Sequence, residues 1–138
     1  MRRLLFTLLT LSATVMSAQV ATIVESDTEF EFTGANSAVC RMHQVIRVNN
    51  EHGVDAALFA CYCSKGNTLT RFSGTITDAN GKVIGKPKKS DLVRSEFSKE
   101  FSTDQYMYLY GYQSHSYPYT VTYDWEESIE GGIRAIPP

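Results

Sequence analysis

The chain has 138 residues, with 13 Lys and Arg against 15 Asp and Glu. When Arg2 and Arg3 are set aside with the leader described below, 11 basic residues remain against 15 acidic ones, a net charge of about −4. Nucleic-acid binding needs clustered Lys and Arg against the phosphates, so this mild acidity argues against a nucleic-acid partner. The remaining chain of about 120 residues is one domain long, and it can bury a core without disulfides or metals.

The first eighteen residues have the layout of a secretory signal peptide. Met1-Arg2-Arg3 supplies a positive start, Leu4 to Val15 is largely apolar, and Ser17-Ala18 provides small residues before Gln19. This apolar stretch is too short to span a bilayer stably, so we do not expect the protein to be membrane-spanning. We predict a signal peptide over residues 1–18 and a single exported domain over residues 19–138, in the periplasm or cell envelope.

The mature chain alternates strand signals with turn signals and shows no sustained amphipathic helix. Short strand signals at Ala21–Val24 and Thr28–Phe32 come before a break at Gly34–Ser37. A longer strand is predicted over Val39–Val48, with the more apolar alternate set, which begins at Cys40, facing inward. Asn49–Gly53 then has the composition of a turn, because Asn and Gly tolerate left-handed backbone conformations.

The second half continues the same alternation. Strands are predicted over Leu58–Cys63 and Leu69–Thr77, the latter with Leu69 and Phe72 on opposite faces. Asp78–Gly81 predicts a tight hairpin turn. The basic stretch Lys82–Lys89 is interpreted as a solvated loop that also protects a sheet edge, and Ser90 as the N-cap of a single helical turn. Short strands at regular spacing predict an all-β, antiparallel sandwich.

The densest aromatic pattern runs from Gln105 to Trp125. Tyrosines occupy positions 106, 108, 110 and 112, and again 117, 119 and 123, so each group gathers its rings on one face of a strand. The polar stretch Gln113–Ser116 between the groups predicts that the two arms form a hairpin. Polar residues alternate with the aromatic set of the second arm, which predicts that this set faces the core.

The first arm leaves its orientation open, because Met107 and Leu109 compete with the tyrosines for the interior. If the tyrosines face inward, they fill the space between two sheets. If they face outward, Tyr106, Tyr108 and Tyr110 form an exposed stripe that a protein or a sugar ring can stack on. These three tyrosines are therefore the candidate interaction surface.

Three cysteines and three histidines are the residues that thiol catalysis or metal binding would use. They are Cys40, Cys61, Cys63, His43, His52 and His115. No cysteine begins a predicted helix or carries a catalytic signature, and Cys61 and Cys63 share a strand face as packed thiols do. Cys40 and His43 would face opposite sides of a strand, which disfavours zinc. We predict no catalytic residue, no metal and no cofactor, and packed free thiols, with a bridge from Cys40 to Cys61 or Cys63 as the alternative.

Several short motifs give the chain a family resemblance. The block that begins at Arg47 contains N-N-E-H-G-V-D-A-A, T-D-A-N-G-K-V-I and K-K-S-D-L, and F-S-T-D-Q-Y and Y-P-Y-T-V-T-Y-D-W follow it. With these motifs the chain resembles, from about Ile23 to Trp125, the bacterial domain of unknown function found N-terminal to transglutaminase-like domains in exported proteins of the Bacteroides group. The resemblance implies an immunoglobulin-like β-sandwich, which in complete members comes before a papain-like Cys-His-Asp module.

The sequence stops at Pro138, before any such module, so the resemblance implies a partner domain and no activity in these residues. We expect either the N-terminal part of a longer protein or a solitary version of the domain. We predict a non-catalytic accessory domain of an exported transglutaminase-like envelope protein. Its expected partners are the downstream transglutaminase-like domain or another envelope protein. The alternative is a carbohydrate-binding module that binds glycan through an exposed tyrosine stripe.

Overall fold

The computed structural model describes residues 19–97 and 104–131, so the predicted signal peptide over residues 1–18 lies outside the described residues. Within those residues eight strands form two sheets. The strands are β1 (Ala21–Gly34), β2 (Ser37–Val48), β3 (Phe59–Cys63), β4 (Asn67–Thr77), β5 (Val83–Gly85), β6 (Val93–Glu96), β7 (Tyr106–Tyr110) and β8 (Tyr119–Glu130). Two short 3-10 segments, Glu51–Ala57 and Lys89–Asp91, lie between them. No helix in the described ranges is long and apolar enough to cross a membrane.

The two sheets pack face to face. A five-stranded sheet has the order β1-β2-β8-β4-β5, a three-stranded sheet has the order β3-β7-β6, and every paired strand is antiparallel. The core between them combines Ile46 and Val121 of the larger sheet with Phe59 of the smaller one, whose ring lies 4.6 Å from that of Phe72. The predicted antiparallel β-sandwich is confirmed.

Strand alternation identified the inner face of the larger sheet correctly. On β2, Cys40, Ile46 and Val48 are buried, as predicted for the more apolar alternate set. On β8, Tyr119 and Tyr123 are almost fully buried while the intervening polar residues are half-buried or exposed. In both strands one set of alternate positions is the more apolar, so burial favours the orientation that turns this set inward.

The predicted aromatic hairpin is wrong. β7 pairs with β3 and β6, whereas β8 pairs with β2 and β4, so the two arms belong to different sheets. The connection over residues 111–118 crosses from one sheet to the other. Both arms direct aromatic faces into the same core, and they meet ring to ring across it. Tyr112 and Tyr119 have ring centroids 5.4 Å apart, and Tyr110 and Tyr123 have centroids 6.4 Å apart.

The prediction that Leu69 and Phe72 lie on opposite faces of β4 is wrong, because a β-bulge lies between them. Leu69 and Phe72 are both buried although they are three residues apart, which a regular strand does not allow. The pairing with β8 skips Thr70, because Leu69 pairs with Glu127 and Arg71 with Glu126. The extra residue restores inward orientation to both apolar side chains.

The turns follow their local chemistry, with small corrections. The Asp78–Gly81 hairpin is confirmed, with Gly81 at φ 80° and the Asp78 carboxylate accepting from the backbone N–H groups of Asn80 and Lys82. The basic stretch after it contains β5 at the sheet edge, so it is part strand. The predicted N-cap Ser90 is wrong, because Lys88 is the N-cap of the helical turn Lys89–Asp91 and Ser90 lies within that turn. The two strand signals near the N-terminus merge into the single strand β1.

Candidate functional site

The candidate interaction residues Tyr106, Tyr108 and Tyr110 lie on β7 and face the core. Each pairs with a buried residue of β3, and each half-buried ring packs against the core cluster. Met107 and Leu109 lie on the opposite face of this strand. The structure therefore selects the inward orientation that the sequence left open, and β7 does not present an exposed tyrosine stripe. A role for the phenol groups in ligand binding stays a prediction.

The contacts of these tyrosines are those of a packed interior edge. The Tyr106 and Tyr108 rings meet edge to face at 5.5 Å, and the Arg94 guanidinium lies 3.8 Å from the centroid of the Tyr106 ring. Burial raises the pKa of both Tyr106 and Tyr110 above the ordinary tyrosine value. The phenols therefore stay neutral over the physiological pH range.

All three cysteines are free and buried, as the packed-thiol interpretation predicts. The Sγ atoms of Cys61 and Cys63 are 3.9 Å apart, and the Cys61 thiol donates to Oε1 of Glu127 at 3.3 Å. Burial, together with the Glu127 carboxylate, raises the pKa of Cys61, and the same two causes raise that of Cys40. A thiolate is the nucleophilic form of cysteine, and this environment opposes its formation.

The histidines are not placed to activate these thiols. His43 lies on the outer face of β2 while Cys40 lies on its inner face, as predicted. His52 and His115 are exposed. No hydrogen bond joins a cysteine to a histidine within residues 19–97 and 104–131, and these ranges contain no group of three or more His, Cys, Asp or Glu arranged to hold a metal ion.

The outer face of the five-stranded sheet carries a network of opposite charges. Arg41 donates to Glu31 of β1 at 2.8 Å and to Glu126 of β8 at 3.1 Å. One row along the sheet, His43 Nδ1 lies 2.5 Å from the Asp124 carboxylate. Arg41, His43, Asp124 and Glu126 border a shallow depression of about 310 Å³ that spans β1, β2, β8 and β4. The network is partly exposed, so its ion pairs stabilise the fold only modestly.

Arg41 and His43 are the two groups of this network whose pKa is raised, Arg41 chiefly through its hydrogen bond to Glu31. The hydrogen bond to Asp124 raises the pKa of His43, desolvation opposes that shift, and the nearby carboxylates of Glu25 and Asp27 raise the pKa further. His43 Nε2 lies 3.7 Å from the Glu25 carboxylate. Strand alternation puts Arg41 and His43 on one face of β2, but the acidic partners of these residues were not predicted. The alternation of acidic residues along β1 was the available signal.

A second surface, which the sequence analysis did not predict, lies on the solvent side of the three-stranded sheet. We call it the outer apolar face and define it by its apolar residues Ala60, Tyr62, Val93, Phe97, Met107 and Leu109. The polar residue Ser95, which pairs with Met107, lies on the same face. Tyr62, Val93 and Phe97 are 63%, 64% and 54% exposed. The Tyr62 and Phe97 rings stack with centroids 5.7 Å apart and planes 10° apart. Large apolar side chains grouped on one exposed sheet face are typical of an interaction surface.

Comparisons with known proteins identify a family and a similar fold. The sequence profile of a family described as a domain of unknown function with solved structure (DUF3857) matches residues 34–133. A crystal structure of a "putative protease" from Parabacteroides distasonis matches with TM-score 0.69 and 10% sequence identity, covering 82% of this chain and 24% of that one. At this identity the match shows the fold alone, and this chain spans about a quarter of that protein.

A second solved structure is the KRT10-binding region domain of the pneumococcal serine rich repeat protein PsrP. It matches with TM-score 0.30 and 14% identity over 80% of this chain and 82% of that one, a similarity too low to support an argument. No match was found among curated proteins.

Proposed function

Because the chain belongs to the DUF3857 family, we propose that it is a non-catalytic accessory domain of a longer exported envelope protein. In this proposal the catalytic part, a transglutaminase-like or protease domain, lies elsewhere in the same protein. The accessory domain acts through contacts with that domain or with another envelope protein.

The observation that carries the proposal is that the fold of this chain matches only part of a much longer protein. The sandwich resembles a domain-sized part of the Parabacteroides protein, because 82% of this chain aligns with only 24% of that one. A fold that occupies about a quarter of a "putative protease" is suited to an accessory role beside a separate catalytic domain. The motif resemblance of the sequence supports a transglutaminase-like module as that partner.

The chemistry of the described residues supports the non-catalytic part of the proposal. Nucleophilic catalysis by cysteine needs a thiolate, a histidine within hydrogen-bond reach and an orienting group. Cys61 instead stays a thiol that donates a hydrogen bond to Glu127, and His43 lies on the outer side of the other sheet. The proposed export depends on the signal-peptide pattern over residues 1–18.

The test is to characterise the native gene product. We expect mass spectrometry of the envelope fraction to find a polypeptide larger than the 15.4 kDa of this chain, with its N-terminus at Gln19. The complete product should contain a Cys-His-Asp module and have its peptidase or transamidase turnover unchanged by Cys61→Ala and Cys63→Ala. A mature protein that ends at Pro138 would refute the proposal. Lost turnover in either variant, at unchanged circular dichroism, would refute its non-catalytic part.

The carbohydrate-binding alternative has less structural support. The phenol groups of Tyr106, Tyr108 and Tyr110 are half-buried against the core, so sugar rings would reach only their outer edges. A glycan array with wild type and Tyr108→Ala tests it. Binding that depends on Tyr108 would favour this alternative, and no glycan dependence would remove it.

A further inference from the structure

Two of the three strands of the smaller sheet are apolar on both faces. Strands β3, with the sequence F-A-C-Y-C, and β7, with the sequence Y-M-Y-L-Y, contain no charged residue. Phe59 and Cys61 fill the core on the inner side, while Tyr62 and Leu109 lie on the outer apolar face. Strands that are covered on both faces have nearly continuous apolar sequences, whereas a solvated face alternates with polar residues. The composition of this sheet is that of a covered layer.

Strand β6 shows the same preference through the placement of its charges. Arg94 and Glu96 lie on the inner side of the sheet, where the Arg94 guanidinium stacks 3.8 Å from the Tyr106 ring centroid and lies 3.6 Å from the Glu96 carboxylate. Val93 and Phe97 lie on the outer apolar face. Inward-pointing charges are one way in which an edge strand avoids pairing with another chain. On β6 they also leave the outer apolar face uncharged, with Ser95 as the polar residue of this strand on that face.

We propose that the outer apolar face is the docking surface for a second domain of the same polypeptide. This inference rests on the proposed function, in which the chain is one domain of a longer protein. The docked domain presents an uncharged surface, because a charge brought onto this face would lose its hydration without gaining a counter-charge. An aliphatic or aromatic side chain of that domain lies against the stacked pair of Tyr62 and Phe97.

The size of the face favours a tethered domain over a second copy of this chain. Three strands about 4.8 Å apart and about five residues long, at about 3.3 Å each, give a face of roughly 240 Å². Free proteins that form a stable complex bury about 800 Å² on each partner. A covalent linker removes much of that requirement, because it holds the partner at an effective concentration near about 1 mM. The similar Parabacteroides protein is about four times as long as the part this fold matches, since the match covers 24% of it.

The experiment compares the accessibility of one engineered thiol in two contexts. Val93→Cys places a thiol on the outer apolar face, and Val83→Cys places a matched thiol on the edge of the other sheet, where the valine is 45% exposed. Each variant is made in the 138-residue chain and in the complete polypeptide encoded by its gene, and both are labelled with a maleimide dye. The three native thiols of this domain are buried, with exposures of 3 to 4%, so they label slowly. Peptide mapping follows the label at residue 93 or 83 and separates it from cysteines of any other domain. Circular dichroism confirms that each variant is folded.

We expect Val93→Cys to react about tenfold more slowly in the complete polypeptide, because an effective concentration of about 1 mM over a dissociation constant of about 0.1 mM leaves the face open for about a tenth of the time. Val83→Cys should react at the same rate in both contexts. Equal rates for Val93→Cys in a longer polypeptide would overturn the docking surface and leave the accessory role standing. A gene product that ends at Pro138 would overturn both proposals.

Two further results would replace the proposed occupant. Slow labelling of Val93→Cys in the 138-residue chain, with a doubled mass in light scattering, would identify a second copy. Protection of that thiol by a soluble glycan, lost in Tyr62→Ala, would identify a sugar-binding face. Either result overturns the tethered domain.

Discussion

The hydroxyl of Tyr123 provides the most direct test of the core described above. It is buried between the sheets and donates to the backbone carbonyl of Ala57 at 2.6 Å, so it joins β8 of the larger sheet to the last residue of the 3-10 segment that precedes β3. Tyr123→Phe removes this hydrogen bond and leaves the Ala57 carbonyl without that donor. A net hydrogen bond plus a buried unsatisfied acceptor costs about 2 kcal/mol.

That loss is measurable in a domain of this size. About 120 residues correspond to an unfolding entropy of about 0.25 kcal/mol/K, so a loss of about 2 kcal/mol lowers Tm by about 8 °C. The assay is thermal and urea unfolding of residues 19–138 followed by circular dichroism at neutral pH. The m-value should stay constant, because the variant exposes the same surface on unfolding.

Tyr119→Phe is the matched control. Its hydroxyl donates to the carbonyl of Tyr112 at 3.1 Å, and Tyr112 lies in the half-exposed connection between the sheets, where water replaces the lost donor. We expect a cost of about 0.5 kcal/mol for this variant. The structural role of the Tyr123 hydrogen bond is refuted if the unfolding free energy of Tyr123→Phe stays within about 0.5 kcal/mol of the wild type. It is also refuted if Tyr119→Phe loses as much unfolding free energy as Tyr123→Phe.

Three further predictions concern pH and backbone packing. Burial, aided by Tyr117 and Tyr112, raises the pKa of Tyr119 to about 12. The stability that neutral Tyr119 contributes is therefore fully present below about pH 10 and is lost as the pH rises to 12. The urea midpoint of the wild type should fall over that pH range, and that of Tyr119→Phe should fall less. The carboxylate of Asp124, with Glu25 and Asp27, raises the pKa of His43. The stability that protonated His43 contributes is therefore fully present below about pH 6.5 and is lost as the pH rises through the folded pKa. His43→Asn should lack the decline in urea midpoint that the wild type shows between pH 6 and 9, and an unchanged decline would contradict the assignment. A Cβ on Gly53 would lie 1.9 Å from the carbonyl oxygen of Val20, whereas Gly81 at φ 80° has open space. Gly53→Ala should lower the unfolding free energy by about 2–3 kcal/mol and Gly81→Ala by about 1 kcal/mol. The reverse order would show that the start of β1 is not packed against Gly53.

The sequence by itself determined the elements whose two faces differ in polarity. On β2 and β8, one set of alternate positions is clearly the more apolar, so burial favours one orientation, and the inward orientation of Ile46 and Tyr123 was predictable. The hairpin after β4 was predictable as well, because Asp78 and Gly81 satisfy the turn through local hydrogen bonds and a positive φ. Both features depend on residues close together in the chain or on a single strand.

Only the tertiary structure decided which strands pair and which face of an apolar strand turns inward. Every residue except proline offers the same backbone N–H and C=O groups, so the sequence of a strand does not say which strand it pairs with. The polar connection between β7 and β8 is compatible with a hairpin, but in the structure it crosses from one sheet to the other. On β7, Tyr108 and Leu109 are both apolar enough for the core, and alternation alone could not choose between them. The choice depends on the buried side of β3 opposite the tyrosines, a contact made across more than 40 residues of chain, since Cys61 pairs with Tyr108. That long-range pairing places Leu109 outside and so creates the outer apolar face.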